Sequence, residues 1–164
     1  MKAGNDNIGG SSGYVFQINA SKGGVPKLPL PSAEVNTLGL VGDKQGSPEI
    51  HGGTEQALCL YSLERIQALQ TEGNPIYPGA AGENLTISGL DWSLIEPGTR
   101  LRLGSDVLVE ITFYTSPCNN IAPVFKGGEY GRISQTRHPG WSRVYARVLN
   151  PGNIQPGDLA LIAD

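Results

Sequence analysis

Two cysteines carry whatever thiol chemistry this chain has, and their sequence settings differ. Cys118 follows Ser116-Pro117 after a long alternating run, and Asn119-Asn120-Ile121-Ala122 come next. That pattern places it in a turn at a strand end, where side chains meet a cavity rather than the sheet. A helical turn starting there would offer free N–H groups to a thiolate. A thiolate attacks sulfur or carbon, carries a persulfide, or ligates a soft metal. Residue type alone leaves a second reading open, a small packed hydrophobe. Cys59 sits between Leu58 and Leu60 in an apolar run and is expected to be such a core thiol. A functional thiol there would have to face an internal cavity. Neither cysteine has a Cys-x-x-Cys partner, and the histidines, His51 and His138, are distant, so a zinc site of the usual spacing is not expected.

His51-Gly52-Gly53 is a second candidate feature. Its glycines would let the backbone approach a ligand, and the histidine could donate to a phosphate or oxo group. A plain turn with a capping histidine is the alternative. Gly79-Ala80-Ala81-Gly82-Glu83-Asn84 has the composition of an anion-binding nest, with Asn84 able to read an amide-like edge. Lys22, Lys27, Lys44, Arg143 and Arg147 are candidate phosphate partners. Lys27 stands out, because neighbouring prolines and glycines fix it in a loop.

These residues must be positioned by strands. Residues 13–20, 33–40, 56–61, 84–88, 99–103, 106–115 and 158–163 read as strands by alternation or apolar content. Gly104-Ser105 suits a two-residue hairpin turn. Val107, Val109, Ile111 and Phe113 are predicted on one face of its second arm. Near the end, Val144, Ala146 and Val148 alternate with Arg143, Tyr145 and Arg147. The prolines of residues 23–29 predict a loop. Ser62 predicts the N-cap of a helix that turns Leu63, Ile66 and Leu69 inward and stops at Gly73. The fold class expected is mainly β, a closed or partly closed β-barrel with a few short helices, since closure removes exposed edges.

Composition agrees. The 164 residues include 23 glycines and 12 prolines with only 16% charged residues, as short strands and tight turns require. A net charge of -3 gives no reason to expect nucleic acid or anionic lipid as partners. No apolar run reaches membrane-spanning length. Residues 1–12 are expected to be a disordered tail and residues 13–164 a single domain. With no signal-peptide pattern, a cytoplasmic location is expected, and a reducing compartment argues against a disulfide.

An ordered set of short motifs extends over nearly the whole chain: Gly23-Gly24-Val25-Pro26-Lys27, Gly39-Leu40-Val41-Gly42-Asp43, His51-Gly52-Gly53 with Gln56-Ala57-Leu58, Gly82-Glu83-Asn84-Leu85 with Gly89-Leu90, and Ser116-Pro117-Cys118. Val148-Leu149-Asn150-Pro151-Gly152 and Gly157-Asp158 close it. Each motif is weak alone, but the ordered set resembles the MOSC domain, the family named after the C-terminal domain of molybdenum cofactor sulfurase. The resemblance implies a strand-rich barrel associated with the molybdenum cofactor (molybdopterin). It implies that Cys118 is either the protein ligand to molybdenum or a sulfur carrier. Stand-alone bacterial members are linked to reduction of N-hydroxylated compounds. A small-molecule substrate and a separate electron-donor or sulfur-donor protein would then be required. His51, Gly52, Gly53, Lys27, Gly82 and Asn84 are the residues expected to hold the cofactor, by type and position. A sulfur carrier and a non-catalytic binding module are the alternative readings.

Overall fold

The computed structural model describes residues 10–44 and 53–163. Its strands in chain order are β1 (Ser12–Ala20), β2 (Leu28–Leu30), β3 (Ala33–Asn36), β4 (Gly39–Leu40) and β5 (Leu58–Ser62). After the helix α1 (Leu63–Thr71) come β6 (Leu85–Ser88), β7 (Arg100–Leu103) and β8 (Val107–Tyr114). The chain ends with β9 (Val144–Asn150), β10 (Gly152–Ile154) and β11 (Leu159–Ala163). The pairing runs β11, β7, β8, β9, β5, β6, β1, and β1 pairs back to β11, which closes a seven-stranded barrel. One edge of β1 pairs with β6; its other edge gives Ser12–Tyr14 to β11 and Ile18–Ala20 to β2. A small separate sheet, β10-β3-β4, flanks the barrel.

Alternation explains the core. Leu58 and Leu60 of β5, Val144 and Ala146 of β9 and Val109 and Ile111 of β8 are buried on one face of their strands. β5 and β6 are parallel, and α1 lies in the connection that such a pair requires. The Ser62 side chain accepts the Arg65 N–H at 3.1 Å, as the sequence predicts for an N-cap, and Leu63, Ile66 and Leu69 are buried. Gly73, at φ +102, ends the helix.

The structure corrects several local expectations. Leu103 pairs with Val107, so the β7–β8 loop has Gly104, Ser105 and Asp106 in it rather than a two-residue turn. Phe113 is exposed, because the register of β8 against β9 shifts between Ile111 and Tyr114 and breaks the alternation. Residues 33–40 form a tight hairpin of β3 and β4 instead of one strand. The 23–29 segment contains the start of β2, where Pro29 lies in a short strand. Among the described residues no helix is long and apolar enough to cross a membrane.

Candidate functional site

The opposite face of β5 and β9 builds the floor of a cleft. Cys59 pairs directly with Tyr145 across the two strands, and both side chains line it. Three loops wall the opening, carrying Gly24–Lys27, Ala81–Gly82 and Thr115–Ile121. The cleft encloses about 680 Å³, counting space open to solvent. Cys118 lines it as a half-buried free thiol, directly before a short 3-10 turn of residues 119–124. The Ile121 N–H donates to the Cys118 carbonyl at 3.2 Å, which holds the turn against the thiol's backbone.

Cys59 is the first correction to the sequence reading. It is only 7% exposed, as a core thiol should be, yet it lines the same cleft as Cys118. Its Sγ lies 3.7 Å from the Thr115 Oγ1. Burial pushes its pKa up, with the nearby Arg143 charge opposing, so it favours the protonated form. Burial likewise pushes up the Tyr145 phenol.

Four of the predicted site residues meet here: Cys118, Lys27, Gly82 and Asn84. Lys27 is buried, and its Nζ donates to Asp43 Oδ1 at 2.7 Å. Asn84 donates to Asp43 Oδ2 at 3.0 Å, and its Oδ1 accepts the Cys59 N–H at 3.0 Å. The Asn84 side chain thereby continues the β5–β6 pairing beyond its last strand bond. With both ends engaged it serves as a brace, not the free amide-reading group the sequence suggested. The expected nest is also satisfied from within: the Gly82 N–H donates to the Gly79 carbonyl, and the Gly79 N–H to Glu83 Oε2. Gly82 has φ +88, and a Cβ there would press Val25 Cγ1 at 3.0 Å, so glycine brings the two loops together. Gly53 is exposed, opens the turn of residues 54–56 and does not line the cleft. His51 and Gly52 lie outside the described residues.

Arg143 is the residue whose role sequence patterning obscured. On alternation it belongs with Tyr145 and Arg147 on the non-core side of the strand, yet it is buried at the cleft floor. Bonds from other parts of the chain hold the backbone around it in place. The carbonyls of Trp141, Ser142 and Arg143 accept from Tyr61 Oη at 2.6 Å, Trp92 Nε1 at 2.9 Å and the Thr115 N–H at 2.9 Å. Its Nη1 donates to the Ala81 carbonyl at 2.6 Å, while its Nε is buried with no partner among the described residues. Arg147, farther along the strand, lies in the open and pairs with Glu55 and Glu110.

The MOSC domain family model matches residues 47–160. The chain belongs to the MOSC domain family. The uncharacterized protein YflK of Bacillus subtilis is 30% identical over 136 residues, covering 82% of this chain and 60% of that protein. A Gibberella moniliformis protein named "Reductase" is 34% identical over 128 residues, covering 75% of this chain and 22% of that protein. This chain therefore spans less than two thirds of either relative. The crystal structure of YiiM from Geobacillus stearothermophilus superposes with a TM-score of 0.70 at 24% identity, covering 93% of this chain and 75% of that one, and shows the shared fold. In this MOSC domain the cleft beside Cys118 is the candidate site.

Proposed function

We propose that this MOSC domain binds the molybdenum cofactor through Cys118 as the protein ligand to the metal, and reduces N-hydroxylated compounds. The observation that carries this reading is a free, half-buried thiol sharing one cleft with a buried guanidinium that has no carboxylate partner among the described residues. A phosphorylated pterin dithiolene needs both features at once, a soft sulfur donor and a cation for its anionic end. The residues present fit the group. When bound, the cofactor supplies oxygen-atom transfer chemistry at molybdenum.

The protein's own residues bind, orient and shield. Cys118 must lose its thiol proton to serve as a ligand, and its turn presents it to the cleft rather than to the core. Val25 and Ile121 line the cleft with apolar side chains that would exclude water beside the group. Gly24, at φ +76 with open space where a Cβ would stand, leaves that wall thin. Tyr145, whose phenol pKa burial pushes up, presents a hydroxyl to the same cleft. The chain has two cysteines in all, too few for a four-cysteine iron–sulfur cluster. Electrons in this reading come from outside this domain. The reductase name belongs to the fungal relative and supports the reading by likeness alone.

Molybdenum and pterin content of protein from a cofactor-competent host tests the reading. Stoichiometric metal, lost in Cys118→Ala together with reduction of an N-hydroxylated base analogue, is the expected result; metal-free wild-type protein overturns it. The partial exposure of Cys118 also suits a sulfur carrier. In that case mass spectrometry after incubation with a cysteine desulfurase and cysteine shows one added sulfur on Cys118, with no metal bound.

A further inference from the structure

We propose that Arg143, and not Lys27, is the receptor for a phosphate monoester in this cleft. The two cations are equally hidden: Arg143 is 6% and Lys27 7% exposed. Their partners differ. Lys27 makes an ion pair of 2.7 Å with Asp43, and Asp43 also accepts from Asn84 and the Ser21 N–H. That charge is spent inside the protein. Among the described residues Arg143 makes no ion pair, and the one hydrogen bond of its side chain is to a neutral carbonyl, that of Ala81.

The acid nearest in influence is Glu83, and it is poorly suited to balance the guanidinium. Burial pushes its carboxyl towards the neutral form, and one of its oxygens is already held by the Gly79 N–H and the Thr86 hydroxyl, each at 2.9 Å. A guanidinium taken out of water without a counter-ion carries a desolvation cost that nothing repays. The fold nevertheless pins Arg143 by the hydrogen bonds that the carbonyls of residues 141–143 accept. An anion entering the cleft would recover that cost. The planar fork, with Nε unpartnered, suits a tetrahedral oxyanion accepting side-on. Ser116 and Asn120 line the same cleft and add further polar groups to it.

The inference rests on the cofactor reading only for the source of the phosphate. In protein from a host unable to make pterin cofactor, inorganic phosphate is titrated while the Arg143 Nε–H resonance and the melting temperature are followed. Wild type should bind, and its Nε–H signal should shift. Lys27→Gln, whose amide still donates to Asp43, should bind within about threefold of wild type; Arg143→Gln should lose about tenfold or more, and Arg143→Lys less. Acetate should bind at least about tenfold more weakly than phosphate. An Nε–H signal that phosphate leaves unmoved overturns the proposal, as does loss of affinity in Lys27→Gln but not in Arg143→Gln. Acetate binding as tightly as phosphate also overturns it. The wild-type titration decides the matter even where Arg143→Gln fails to fold. Cofactor content from a competent host then identifies the source. Loss of pterin in Arg143→Gln assigns the site to the cofactor's phosphate, and undiminished pterin assigns it to a phosphorylated substrate. Absence of cofactor from wild type defeats the cofactor reading while leaving the phosphate titration intact.

Discussion

The floor and the rim of the cleft are built on different terms. The floor is strand: β5 and β9 pair from Leu58 to Ala146 and from Leu60 to Val144, and their other face fills the barrel. The rim is loop: residues 24–27, 81–82 and 115–121 cross the opening with few ladder bonds of their own. Groups on the floor, Cys59 and Arg143, are buried and fixed; the rim carries Cys118, half-exposed at a turn. The half-exposed thiol thus sits on a loop, and the buried guanidinium at the head of a strand. One device joins the two. Asp43, held by Lys27 from the rim and by Asn84 from the head of β6, ties loop to barrel.

Substitutions separate the two regions by how much folding stability they cost. Leu60→Ala in the floor strand should lose most, about 4 kcal/mol, because the fully buried side chain leaves a cavity in the barrel. Denaturant unfolding checks it; a loss below about 1 kcal/mol would mean that the floor is not a packed layer. Asp43→Ala should cost about 3 kcal/mol, since it strands the buried Lys27 ammonium and frees Asn84. Proteolysis within the 23–27 loop, rising ahead of global unfolding, would show that the tie had been cut.

Glu83→Gln should change stability less, by about 1 kcal/mol, and with a definite pH dependence. The folded Glu83 carboxyl has a raised pKa, so the folded state holds its proton more tightly than the unfolded chain. Its contribution is fully present below the ordinary glutamate value and is lost as pH rises through the range above it. The variant, which cannot ionise, should therefore gain on wild type as pH rises. Melting temperatures across the acidic to neutral range test this; a variant that loses ground to wild type as pH rises refutes the assignment. Cys118→Ala should be the mildest in stability, under about 1 kcal/mol, while removing the metal binding and turnover that the proposed function assigns to it. A large fall in melting temperature would place Cys118 with Cys59 as a packing thiol.

Much of the positioning framework was legible in local sequence. The Ser62 cap, the inward face of α1, and the alternation of Val144, Ala146 and Val148 all stand as expected, because each depends on neighbours a few residues away. Cys118 at a strand end was readable for the same reason. Alternation failed where pairing between distant strands intervened, as at Phe113, which the register shift against β9 turns outward. Asn84 was legible as a site residue but not as a brace, since its partners Cys59, Asp43 and Asn19 come from three other parts of the chain.

The sequence by itself determined a strand-rich barrel, one capped helix, the family and the thiol at a turn. Tertiary structure alone decided what the far side of each strand faces. Period-two alternation assigns Cys59 and Arg143 to a side, but whether that side meets core, solvent or a roofed cleft depends on loops more than twenty residues away. Those loops put Cys59 in the same cleft as Cys118. They also cover Arg143 while leaving Arg147, on the same side of the strand, paired in the open. Burial without a counter-ion is a property of that long-range packing, and no local pattern encodes it.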